Sequence, residues 1–460
     1  MPRPTVEELR LTSFKSYRRA VLPLAPLTVL HGPAGVGKSN ALDALAVLSR
    51  LALGEEIADS LDGLPDRTGP LALPVRGGLD GCVPHGRDAI ILGCTVRSPH
   101  GRIRLDVVIR TDGPVRIARE SLTLDGRTLV DTGEQDVRNR RVNVCWHNDT
   151  RQGDIRAPFP SGTMITAQLP LRVAGSSAGE CLVLAATEDL LTALREVFPL
   201  HPVPALMRGW ARADPQARLR GNAANISAVI ARLGNECPRR YGQLLRVVQS
   251  AAPHPLLGLT VAERESDAGV RRVLAVFDEG VLGRTGADQA SDGMLRHLAF
   301  AAVLLTGAGV LDLDVAAEVP WAHRQLIVLA EDLGAGLSTE QAASLLRLAR
   351  DMAERSQLRV VAALQEPAAA REALGGAGEV RSGDVRSGDV RAGEVRSGAV
   401  VVVGCRRDPD SGFTVLRPET GRVPVQVGRG EGTDGAAEGE RSAVEGPGPA
   451  AGGDGVDLEG

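Results

Sequence analysis

LTVLHGPAGVGKSNALDALAVLSRLAL, residues 27–53, decides the fold. Leu27 to Leu30 is a short, fully apolar run, as a strand buried on both faces should be. HGPAGVGKSN follows, and Gly32, four residues, then Gly37-Lys38-Ser39 match the phosphate-binding loop. From Ser39 onward apolar residues recur at helical spacing, so the loop sits between a strand and a helix. In such a loop Gly32, Pro33, Ala34, Gly35, Val36, Gly37, Lys38, Ser39 and Asn40 frame the anion, with backbone N–H groups from every one of them except Pro33. The helix start adds positive potential. Lys38 is expected to reach the β- and γ-phosphates of a nucleotide and Ser39 to ligate Mg2+.

Lysine usage sharpens this reading. Of 53 basic residues only Lys15 and Lys38 are Lys, so Lys38 is expected to sit where a compact ammonium is needed.

Two further stretches complete the set. LIVLAED (326–332) is an apolar strand ending in acids, with Glu331 placed to hold Mg2+ through water and Asp332 to orient an attacking water. ASDGMLRHLAF, from Ala290, puts Ser291, Asp292 and Gly293 at the start of a helix. There the hydroxyl and N–H groups can cap the helix or receive a phosphate from a facing subunit.

Outward from these motifs, strands are expected at 6–11, 20–23, 89–130, QLIVLA and LRVVAAL. Helices are expected over most of 180–250, from Met294, and over STEQAASLLRLARDMAERS. Strand and helix alternate at both ends around a helical middle, an α/β core with an insertion. GEVRS, GDVRS, GDVRA and GEVRS run in tandem over 378–397. A period of five builds neither a strand face nor a helix face and reads as a solvated linker. AVVVVGCRR, DPDSG and FTVLRP then read as a β-hairpin.

Composition excludes several classes. Eleven aromatics in 460 residues argue against a stacking platform for single-stranded nucleic acid. The six Cys form no CxxC pair, which excludes a zinc ribbon or a disulfide framework. The longest apolar segment (298–311) is too short to span a bilayer, and the N-terminus lacks a secretory pattern, so the expectation is a soluble, cytoplasmic protein. The formal charge of -4 is uneven: residues 431–460 carry eight acids and one Arg and should be disordered, leaving a slightly basic body.

The chain resembles the SMC/RecF-like branch of ABC-type ATPases, the stand-alone AAA-family ATP-binding proteins. LTSFKSYRRAVLPLAPLTVLHGPAGVGKSNALDAL resembles their N-terminal strands and Walker A motif. ASDGMLR resembles their signature, LIVLAEDLGAGLS their Walker B segment, and RLRGNAANISAVIARL a recurring segment between the lobes. The resemblance covers roughly 1–370. It implies a P-loop head that binds ATP with Mg2+ and pairs head-to-tail as a homodimer, so that Ser291, Asp292 and Gly293 would act in trans. It implies action on a partner protein or DNA. With the residue patterns beyond 370, the chain is expected to divide into six parts. These are an N-terminal lobe with Walker A (1–175), a mainly helical insertion (176–260), and a C-terminal lobe with signature and Walker B (261–375). The repeat linker (376–398), the hairpin (399–430) and the acidic tail (431–460) follow.

Two departures bear on turnover. The second Walker B acid is Asp332, one methylene shorter than the family's Glu, and the switch His is replaced by Gln365, which can hydrogen-bond but cannot carry a proton. No Q-loop glutamine stands out. The reading is therefore an ATPase of slow turnover, with a nucleotide-binding switch or scaffold that regulates a separate effector as the alternative. The middle is too short for long coiled-coil arms, and no acidic cluster on C-terminal strands suggests a nuclease. GSSAG (175–179) has nucleophile-elbow spacing after a strand-like LPLRV, but no Asp and His partner it; Ser177 is expected to be structural, and His297 an ordinary helix residue.

Overall fold

Three strands lead into the loop. β1 (Thr5–Phe14) and β2 (Tyr17–Pro23) form an antiparallel hairpin, and β3 (Leu27–His31) follows with its first four residues buried. α1 (Lys38–Ala52) starts after the loop and buries Ala41, Leu42, Leu45, Leu48 and Ala52, one face at helical spacing. α2 (Ile57–Asp62) and α3 (Gly78–Cys82) precede an antiparallel meander. Its strands are β4 (Ala89–Ser98), β5 (Gly101–Arg110), β6 (Arg116–Leu124), β7 (Arg127–Asp136), β8 (Arg141–Trp146) and β9 (Ile155–Pro160). Asp125 and Gly126 join β6 to β7 with φ of 48° and 84°, the two positive values that a tight hairpin turn needs.

The middle of the chain holds α4 (Ile165–Gln168), α5 (Ala178–Arg195), β10 (Val197–Leu200), α6 (Pro204–Met207), β11 (Ala211–Arg212), α7 (Ile226–Glu236) and α8 (Pro238–Ala251). After it come β12 (Gly258–Glu265), β13 (Arg271–Asp278), β14 (Arg284–Gly286), α9 (Asp292–Thr306), β15 (Leu326–Ala330), α10 (Thr339–Arg355), β16 (Leu358–Leu364) and α11 (Ala368–Ala373). β17 (Val400–Arg407) and β18 (Thr414–Glu419) are the last described elements. The computed structural model describes residues 3–63, 75–151, 153–266, 269–313, 324–355, 358–374 and 400–419. The pentapeptide repeat and the acidic end lie outside the described residues.

One sheet organises the molecule, in the order β10-β15-β16-β3-β17-β18-β2-β1-β4-β5-β6-β7-β8-β9. From β10 to β17 neighbouring strands are parallel, and from β1 to β9 they are antiparallel. The two halves differ in sequence for a physical reason. LIVLA of β15 and LRVVAAL of β16 are buried at every residue because helices cover both faces, whereas β5 alternates buried and less buried residues. Alternate residues of the parallel strands feed two cores: Leu30, Ile327, Leu329, Val361 and Ala363 face α1 and α5, while Val29, Val328, Ala330, Val360 and Ala362 face the α7 to α10 side. A second small sheet, β11-β13-β12 with β14 on β13, belongs to that second side.

Three local expectations change. VFPL, read inside a helical region, is β10 and pairs in parallel with β15. LPLRV, read as strand-like, is a 3-10 turn over Leu169–Leu171, with Pro170 at its start. The C-terminal hairpin does not stand apart: β17 lies parallel to β3, with Val402 opposite Val29 and Gly404 opposite His31. Among the described residues no helix is long and apolar enough to cross a membrane.

Candidate functional site

The loop is shaped by its glycines. Gly32 (φ 145°), Gly35 (φ 79°) and Gly37 (φ 104°) all occupy backbone conformations that an L side chain resists. Two of them also permit close approach: a Cβ on Gly32 would lie 2.3 Å from the Cys405 carbonyl oxygen, and one on Gly37 would lie 2.5 Å from Thr414 Oγ1. Pro33, Ala34 and Gly35 are exposed at the tip, while Val36 and Lys38 are buried beneath it. Ser39 and Asn40 open α1, whose first turn carries no acid to cancel the positive end of the helix.

Lys38 Nζ donates to the carbonyls of Gly32 (2.7 Å) and Pro33 (2.8 Å). Burial pushes its pKa below the ordinary lysine value, and the Asp332 carboxylate works against that shift. Asn40 Nδ2 donates to Ser16 Oγ at 2.9 Å, which ties α1 to the β1–β2 turn. Lys15 lies in the same turn and donates to Asp43 Oδ2 of α1 and to the Arg76 carbonyl, each at 2.8 Å. Both lysines of the chain therefore sit at this one site, a convergence that the Lys38 motif alone did not predict.

Glu331 and Asp332 follow β15, and the Glu331 N–H donates to the Leu200 carbonyl of β10. That register brings His201 beside the acids: His201 Nδ1 is 3.5 Å from Glu331 Oε2. One ligand atom each from His201, Glu331 and Asp332 lie within 4.8 Å of one another. His201 Nδ1 is buried without a hydrogen-bond partner. This donor set suits a divalent cation such as Mg2+, and the imidazole adds a nitrogen that manganese accepts more readily. Arg76 reaches across the group and pairs with Glu331 and, at 3.5 Å, with Asp43. These opposite charges hold its pKa above the ordinary arginine value against the opposing effect of burial. Neither Arg76 nor His201 belongs to a local motif, and only the fold brings them here.

Gln365 follows β16, the strand lying between β3 and β15, and its carbonyl accepts from the Gly32 N–H at 3.3 Å. Its exposed side chain and that of Asp332 line one cleft of about 360 Å3 together with Gly334 to Ser338. Lys38, Glu331, Asp332 and Gln365 thus gather beyond the carboxyl ends of three neighbouring parallel strands, where open α/β sheets place their ligands.

The third motif opens α9, against the segment that follows Asp332. Ser291 caps α9 by accepting from Met294 N at 3.2 Å, and Asp292 pairs with Arg208 at 2.6 Å. Both are exposed. Gly293 packs so closely on the segment after Asp332 that a Cβ there would lie 2.2 Å from the Gly336 carbonyl oxygen. Among the described residues no hydrogen bond or ion pair joins Ser291, Asp292 or Gly293 to the phosphate loop.

Ser177 is the N-cap of α5 and accepts from Glu180 N at 3.0 Å. His147 lies nearby, but it bonds Asp154 and Arg127 and no bond joins it to Ser177. His297 is buried inside α9, and burial pushes its pKa down to about 4.

No family model and no curated protein matches the chain. Among solved structures it is similar to an SMC head bound to the C-winged helix domain of ScpA, with 13% identity over 90% of this chain and 97% of that one and a TM-score of 0.40. It is similar to the SMC head domain from Thermotoga maritima, with 12% identity over 90% and 98% and a TM-score of 0.38. A third similar structure is the recombination mediator protein RecF with ATP, at 9% identity over 90% and 98% and a TM-score of 0.35.

Proposed function

We propose that the chain binds Mg-ATP in the loop Gly32–Asn40 and hydrolyses it slowly, with ATP-dependent head-to-tail pairing of two copies as the output. The observation that carries this is the convergence of Lys38, Glu331, Asp332 and Gln365 at the ends of β3, β15 and β16. The polyphosphate would lie against the loop N–H groups and the start of α1. Lys38 would exchange the Gly32 and Pro33 carbonyls for phosphate oxygens. Ser39 and Glu331 would hold Mg2+, with His201 alongside; the ion, when bound, neutralises charge on the β- and γ-phosphate oxygens. Asp332 would orient the attacking water and Gln365 would hydrogen-bond that water or the γ-phosphate. Ser291 and Asp292, both exposed, and Gly293 beside them would complete the site of the second copy, since among the described residues no bond ties them to the loop of their own chain.

A second reading is a nucleotide-binding switch without appreciable turnover that regulates a separate effector. Two contacts favour it: Arg76 occupies Glu331, and Lys38 is held by its own loop. Under either reading the partner acted on would be a protein or DNA. Steady-state phosphate release from Mg-ATP, wild type beside Lys38→Ala, separates the two. Release lost in the variant supports the ATPase; ATP bound without release above the variant supports the switch. Absence of ATP binding by the wild type overturns both.

A further inference from the structure

A loop that presents its N–H groups to an anion must turn its carbonyls away, and each carbonyl then needs a donor of its own. The donors here are identifiable. Gly32 and Pro33 carbonyls accept from Lys38, the group that a phosphate would draw away. The Gly35 carbonyl accepts from Arg407 Nε at 3.2 Å, the Val36 carbonyl from Thr414 Oγ1 at 2.7 Å, and the Gly37 carbonyl from Tyr17 OH at 2.9 Å. Two of these three side-chain donors come from the β17–β18 hairpin, more than 370 positions along the chain.

Thr414 is itself held. Its N–H donates to the Ser16 carbonyl at 2.8 Å, and its Oγ1 lies 2.7 Å from Ser16 Oγ, which accepts from Asn40 of α1. With its hydrogen committed to Val36, Thr414 accepts from Ser16, so one chain of bonds runs from α1 through the β1–β2 turn to the loop carbonyl. The glycines serve the same contact. Gly37 leaves room for Thr414 Oγ1, and Gly32 for the Cys405 carbonyl, both from the hairpin.

We infer that Thr414 and Arg407 are positioning residues for nucleotide binding, so that the C-terminal hairpin is a working part of the nucleotide site; this rests on the nucleotide reading above. When Lys38 leaves the loop for a phosphate, the hairpin donors, with Tyr17 of β2, keep its shape.

The test titrates a fluorescent ATP analogue with Mg2+ into the full chain: wild type, Lys38→Ala, Thr414→Val, Thr414→Ser and Arg407→Gln. Thr414→Val keeps the shape and loses the donor, and should weaken binding about tenfold, the effect of one buried neutral hydrogen bond. Thr414→Ser should restore it. Arg407→Gln should weaken binding by a smaller factor that persists at high salt, which screens a plain charge effect. Amide exchange in residues 33–39 should speed up in Thr414→Val while β3 amides keep their rates. If the wild type does not bind, the nucleotide reading fails and the inference with it. If the wild type binds, Lys38→Ala does not, and Thr414→Val and Arg407→Gln bind like wild type, this inference alone is overturned. Arg407 is exposed, so its variant decides the matter should Thr414→Val not fold.

Discussion

Replacing His297 by leucine should stabilise the protein, and by an amount that grows as the pH falls. His297 is 1% exposed on α9, which packs between α8 and α10, and neither ring nitrogen has a hydrogen-bond partner. A polar group buried unpaired costs about 1–3 kcal/mol, so an apolar side chain of similar size should recover a large part of that at neutral pH. The pH dependence follows from titration. Burial alone lowers the His297 pKa from 6.5 to about 4. Above pH 6.5 the ring is neutral in both folded and unfolded chains and contributes no slope. Below it the unfolded chain takes up a proton that the folded chain refuses, so stability falls with pH until the folded ring also titrates near 4. At about pH 5 the penalty has grown to about 2 kcal/mol, at 1.36 kcal/mol per unit. Urea denaturation of wild type and His297→Leu at about pH 7.5 and about pH 5 measures it, since every other titrating group cancels in the difference. Equal pH dependence in the two proteins would refute the buried, neutral imidazole. A less stable variant at both pH values would show that the ring makes a bond that the packing does not reveal.

Four other outcomes are expected. Lys38→Ala should abolish ATP-analogue binding, read by fluorescence. Ser291→Arg should block ATP-dependent dimerisation, read by light scattering, while leaving binding to the monomer intact, because Ser291 is exposed and makes no described bond to its own loop; a dimer that ignores ATP would sink the head-to-tail arrangement. Gly293→Ala must move the Gly336 carbonyl, now 2.2 Å from the new Cβ, and should lower stability by about 1–3 kcal/mol in urea denaturation. Asp332→Glu should raise phosphate release if reach limits turnover, by up to about 10²-fold; an unchanged rate would place the limit at Gln365 or Arg76.

Legibility from the sequence followed the range of the interactions involved. β3, β15 and β16 announce themselves because strands covered on both faces are largely apolar, Thr28 and Arg359 being the buried exceptions, and the glycines of the loop mark conformations that few other residues adopt. β10 is four residues directly behind an 18-residue helix, so its apolar run merges with the helix pattern. β8 and β9 were also unread: Pro158 and Pro160 argue against a strand, yet β9 is the last strand of the sheet order, where a missing N–H costs nothing. Arg76, His201 and Thr414 reach the site only through long-range pairing. The scarcity of lysine singles out Lys38, and nothing in the sequence places Lys15 beside it; only the β1–β2 turn does.

The shorter acid at 332 has a local cause. Asp332 is in the left-handed region at φ 49°, where the chain leaves β15 and turns into the segment that meets Gly293. Asp enters that region more readily than Glu, because its short side chain can bond the backbone locally. The turn and the chemistry therefore pull in opposite directions at one position: the backbone favours Asp, and reach toward a water favours Glu. Close packing of Gly293 on Gly336 leaves this turn little freedom to relax. On this geometry the placement of Asp332 depends on the packing of α9 behind its turn, so Gly293→Ala, which must displace the Gly336 carbonyl, should disturb position 332 as well as stability.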